Sequence, residues 1–147
     1  MKPKLWHHIM TGLGAALLLA ATVFVLVRWS SLPEQIPSHF DAAGNPDGYG
    51  GKSGLIVLLV FFWFMYALIT VCSFFPSTWN VPGKNRPNGL NATADMLAIL
   101  RVLLALMLGW MLFCSALGRG LGAWFLPAVL GGMTLDLGVG IFRAYRG

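Results

Sequence analysis

Charge is what this chain has least of. Only 10% of its 147 residues are Asp, Glu, Lys or Arg, and the carboxylates number five. A soluble domain carries roughly a quarter of its residues as charged side chains, so a soluble fold is excluded. Catalytic patterns are missing as well. No Ser/His/Asp or Cys/His constellation is evident, and no phosphate-cradling loop precedes a basic residue. The stretch "TGLGAALL" from Thr11 lies at membrane depth with no strand before it, so it reads as helix rather than nucleotide loop. The chain is read as non-enzymatic, with no cofactor expected. The two cysteines, Cys72 and Cys114, fall near opposite ends of their spans. Their depths differ by roughly 20 Å at 1.5 Å per residue, too far for a disulfide, whose Cα atoms lie within ~7 Å.

What the chain does have is apolar length. Hydrophobic residues make up 57% of it, with a mean hydropathy of +0.73. They fall in four blocks, at about 9–28, 54–75, 92–117 and 121–142. Each is near the ~20 residues that a helix needs to cross ~30 Å of hydrocarbon. Spanning segments must satisfy their own backbone hydrogen bonds. The sequence therefore predicts an all-α integral membrane protein. It is one membrane domain over 1–147, a four-transmembrane-helix bundle with a structured extracytoplasmic loop at 30–53. The first block follows a basic "MKPK", yet it is too long for a signal sequence and lacks a small-x-small cleavage site. It reads as a retained helix.

The net charge of +5 does not point to nucleic acid, because the cations are dispersed over loops and ends. Lys2, Lys4, Lys84, Arg86, Arg143 and Arg146 fall on one side, and Arg28, Lys52 and Arg119 on the other. Six against three in short loops places both termini in the cytoplasm of a cell whose cytoplasmic membrane holds the protein. The lipid bilayer is the first partner, with anionic headgroups facing those cations. Asn91 or Thr93 is predicted to cap the third helix.

The short "GRG" turn makes the third and fourth spans antiparallel neighbours. Arg101 lies 18 residues before Arg119 and Asp136 lies 17 after it, so their depths match. Asp95 and Arg143 are each 24 residues from the turn. A charge well inside a span costs several kcal/mol unless it pairs or reaches water. Arg101–Asp136 and Asp95–Arg143 are therefore candidate intramembrane ion pairs. They would either lock the hairpin of helices or form an ion or proton site. Pro127 is expected to kink the fourth helix. Gly131, Gly132, Gly138 and Gly140 suit close helix packing, within the chain or in a homo-oligomer.

The loop "LPEQIPSHFDAAGNPDGYGGK" holds the remaining chemistry. Pro33 and Pro37 exclude a continuous helix and favour extended backbone, while "AAGN" and "NPDG" are turn sequences. Glu34, His39, Asp41 and Asp47 are the candidate metal ligands, a weak set because no metal-type spacing joins them. Two other readings stand beside that one. His39 and Asp47 hold the loop's own turns, or the loop is a recognition surface for a peptide or protein partner.

This loop, set between two hydrophobic helices, resembles the signature of small bacterial and archaeal membrane proteins catalogued as domain of unknown function 1648. The matching positions are Leu32, Pro33, Ile36, Pro37, His39, Phe40, Gly44, Asp47, Gly48 and Lys52, with Asp41 inside the motif. The resemblance covers the first helix, the loop and the second helix. It implies kinship with immunity proteins against the sporulation-delaying toxin, which also signal by sequestering a repressor at the membrane. The expected function is thus an immunity, signalling or accessory protein that recognises an extracytoplasmic partner through residues 30–53. The alternative is a small transporter or an ion- or metal-binding membrane protein.

Overall fold

The computed structural model describes residues 4–81, 83–86 and 88–146. Lys2, one of the cations counted above, lies outside them. Four long helices carry the chain: α1 (Leu5–Arg28), α2 (Gly54–Cys72), α3 (Gly89–Ala116) and α4 (Phe125–Tyr145). All four are long and apolar enough to cross a membrane. The protein is a multi-pass membrane protein by this measure.

The fold is not purely helical. Between α1 and α2, strands β1 (Gln35–Phe40) and β2 (Pro46–Gly51) form an antiparallel hairpin. Pairing runs from Gln35 opposite Gly51 to Phe40 opposite Pro46, with an irregularity around Ser38. The sequence anticipates extended pieces and turns here, but not their pairing. The reason is physical: "PDGYGG" is a poor strand sequence, and a lone two-stranded hairpin is marginal in water. This one is held by what lies beneath it. Leu32 and Ile36 are buried in the same core as Val25, Leu55, Leu59, Leu112 and Ala116.

The bundle is organised around α3, whose main neighbours are α1 and α4. On α1 the buried positions are His7, Gly14, Leu18, Ala21 and Val25. Spacings of seven, four, three and four residues trace a seam of the coiled-coil type. α3 answers with Ala94, Ala98, Arg101, Ala105, Leu108 and Leu112. Small residues let the backbones approach, and close van der Waals packing is what associates helices in lipid. Gly14 has a further use. A Cβ there would stand 2.9 Å from the Tyr66 ring, so only glycine admits the tyrosine between α1 and α2. Trp63 Nε1 donates to Thr22 Oγ1 at 3.0 Å and ties the same two helices together.

Two local expectations are corrected. Pro127 stands in the first turn of α4, where its missing N–H has no partner to lose, so it sets the helix start rather than a kink. α3 begins at Gly89 with Asn88 ahead of it, and no side chain caps it; Thr93 Oγ1 instead donates back to Gly89 O. The small residues of α4 divide. A Cβ on Gly140 would run into Met96 and one on Gly132 would touch Leu103, whereas Gly131 and Gly138 face open space. Both cysteines are free, Cys72 exposed and Cys114 buried.

Candidate functional site

Polar chemistry collects at the two ends of the bundle. At one end the hairpin lies over the α3–α4 turn. Gly44 sits at its tip with φ +79°, a conformation that favours glycine, and its carbonyl accepts from Leu121 N at 2.7 Å. A Cβ on Gly44 would come within 2.6 Å of Gly122 O. Phe40 reaches down to Cys114, Leu121 and Phe125, and Pro37 is fully buried. Lys52 bonds Glu34 Oε1 at 2.8 Å and lies over the Trp29 ring, closing the base of the hairpin.

The tip is closed by Asp41. Its carboxylate accepts from Asn45 N at 2.8 Å and from the Asn45 amide at 3.2 Å. The Asn45 backbone N–H, then its side chain, hold the Asp41 carboxyl below its usual pKa.

His39 and Asp47 face outward. Their side chains are 72% and 45% exposed, and His39 Nδ1 lies 2.5 Å from Asp47 Oδ1. Gly48 makes this arrangement fit, because a Cβ there would stand 2.9 Å from that of His39. With Nδ1–H donating to the carboxylate, the ring is held in one orientation and Nε2 is left outside the pair. Tyr49 is exposed beside them. The motif residues thus divide by role. Leu32, Ile36, Pro37, Phe40, Gly44 and Lys52 dock and close the hairpin, while His39 and Asp47 form an oriented pair on its outer face.

The candidate metal ligands do not converge. Glu34 is engaged by Lys52, His39 by Asp47, and Asp41 by Asn45. Among the described residues no group of three His, Cys, Asp or Glu side chains could hold a metal ion.

At the opposite end, where α1 and α3 begin and α4 finishes, Asp95 is buried at 3% exposure. Arg143 Nη2 lies 2.8 Å from its Oδ2, while His7 Nε2 and Lys4 Nζ lie 2.8 and 3.6 Å from its Oδ1. Lys4 N donates to His7 Nδ1 at 3.2 Å, so the ring proton sits on Nε2 and points at the carboxylate. Depth matching finds the Asp95–Arg143 contact but misses Lys4 and His7. The missed signal is periodic: His7 stands seven residues before Gly14 on the buried seam of α1.

The Arg101–Asp136 pair is not formed. Arg101 turns toward α1, where its Nη1 donates to Thr11 Oγ1. Asp136 is half-exposed on α4, with no hydrogen bond or ion pair among the described residues. Matching depth leaves rotation about each axis undetermined, and here the two side chains lie on faces that do not meet. The Tyr66 hydroxyl donates to Thr11 O, so Thr11 joins α1, α2 and α3 at this level. Sequence reasoning overlooks both Thr11 and Tyr66.

Comparison with known proteins locates the hairpin end. Residues 16–70 match the family described as Domain of unknown function (DUF1648). The stretch runs from the middle of α1 through the hairpin into α2. An Archaeoglobus fulgidus protein, described as uncharacterized, is 33% identical over 69 residues. That match takes in 42% of this chain and spans 38% of the relative's length. No solved structure matches the chain.

Proposed function

We propose that this is a non-enzymatic protein of the cytoplasmic membrane, with its termini inside and its hairpin on the extracytoplasmic face. In this reading it recognises a peptide or membrane-protein partner through that hairpin, in an immunity, signalling or accessory role. The observation that carries the reading is the division of labour within the motif. The hairpin is docked by buried apolar residues and by the Gly44–Leu121 hydrogen bond. His39 and Asp47, part of the same motif, are exposed and contribute little to that docking. An exposed ion pair is worth about 0–1 kcal/mol, so stability alone is a weak reason to build one. Recognition uses such a pair directly, as an oriented imidazole and carboxylate on a rigid ledge. The excess of cations at the opposite end supports the orientation.

A photo-crosslinking residue at Tyr49 in native membranes tests this. One specific adduct that disappears when His39→Ala is added is the expected result. The same adducts with and without His39 would count against recognition. A second reading, a small transporter or ion-binding protein, is favoured by one observation: the buried Arg101 at the other end.

A further inference from the structure

We propose that the cavity at Arg101 is an oxyanion site that takes a phosphate group. Arg101 is 4% exposed, and its Nε has no hydrogen-bond partner. Nor does any carboxylate among the described residues form an ion pair with it, a clear contrast with its neighbours. Lys4, His7 and Arg143 already share Asp95. Asp95 and Arg101 are six residues apart on α3, ~9 Å along the axis and on different faces. A buried cation left in this state costs several kcal/mol unless an anion or water meets it.

Space for that anion lies beside it. A cavity of about 190 Å³ is bordered by Arg101, His7, His8, Thr11, Thr70 and Ser73, with Phe74, Pro76 and Ala94 completing its wall. By the same measure one water needs only ~10–15 Å³. No carboxylate lines the cavity, while Arg101 does, so its charge favours an anion over a cation. Arg101 is also pre-positioned. Thr11 gives its own proton to His7 O at 2.8 Å, leaving its oxygen to accept from Nη1. Nε, on the same planar group, is left to donate to a tetrahedral or bidentate oxyanion. His8 is exposed at the rim, with no partner among the described residues.

Depth favours phosphate. Thr11 and Tyr66 are each six residues from the near ends of α1 and α2, roughly 9 Å at 1.5 Å per residue. That brings a cationic side chain within reach of the headgroup layer. The phosphate group would come from a phospholipid headgroup or from free phosphate, and one experiment separates the two.

The full chain is purified in uncharged detergent and stripped of lipid. In one arm inorganic phosphate is titrated by calorimetry. In the other, added phosphatidylglycerol is followed by native mass spectrometry for retained molecules. Binding in the first arm alone assigns a free ion, and binding in the second alone assigns a headgroup. Binding in both assigns the phosphate group itself. In each case Arg101→Gln should weaken binding roughly tenfold to a hundredfold, the worth of a hydrogen bond to a charged group. Ser73→Phe, which fills the cavity while leaving Arg101 in place, should weaken it as well and covers the case in which Arg101→Gln does not fold. No binding in either arm, or binding unaffected by both substitutions, would mean that water alone fills the cavity, and the proposal would fall.

Discussion

The two ends of this bundle handle charge in opposite ways. At the hairpin end, Glu34–Lys52 and His39–Asp47 are simple pairs with exposed members, built on backbone that is docked by apolar contacts. At the other end, one buried carboxylate gathers three basic side chains, and a buried arginine stands apart from it. Exposed pairs contribute little to stability and can be presented to a partner. Buried charges must be matched, because leaving one unmatched is strongly unfavourable. The difference teaches that the end with the richer sequence motif need not be the end on which the fold depends.

The sharpest way to break this contrast is at Asp95. Asp95→Ala leaves Arg143, Lys4 and His7 without their shared carboxylate. It should destabilise the protein by about 3–5 kcal/mol, as for other broken buried pairs. Reversible unfolding in mixed micelles measures it, and a loss under 1 kcal/mol would show that water already screens the cluster. Next comes Gly44→Ala, which forces a side chain into a positive-φ position facing Gly122 O. A cost of roughly 1–3 kcal/mol is expected. It should appear as faster hydrogen exchange in residues 35–51, with α1 and α3 unchanged.

Asp136→Asn should be smaller still, within about 0.5 kcal/mol, since that carboxylate has no partner in the described structure. A large loss would restore the Arg101–Asp136 pair. The smallest effect concerns pH. Asp41 has its folded pKa depressed by Asn45, so its contribution is present above its unfolded value, near 3.8, and fades as pH falls through the lower folded value. The protection of Asn45 N against hydrogen exchange, relative to its intrinsic rate, should fall in that acid window and stay flat above it. A loss of protection between neutral pH and pH 5 would assign the tip to another group.

How much of this was legible in the sequence follows from what each signal measures. Hydropathy counts apolar length, so the four spans emerge within a few residues of their ends; α1 extends past Ile9 because Leu5 to His8, with two histidines among them, join it as its first turn. Proline and glycine marked the hairpin's bends but hid its pairing, since β2 is held by docking rather than by propensity. Depth arithmetic works along an axis and is silent about rotation. It therefore found Asp95 with Arg143 and misplaced Arg101. The burial of His7 is not legible in α1 alone, because it depends on α3, which contacts it across 88 residues of sequence.

The central claim is that His39 and Asp47 are there for recognition rather than for the fold. The direct test is His39→Ala with Asp47→Asn in one chain, carried through thermal unfolding and partner capture from native membranes on the same preparation. The account predicts stability within about 1 kcal/mol of the parent chain and loss of the specific partner. A collapsed fold, or an unchanged partner set on an intact fold, would contradict it.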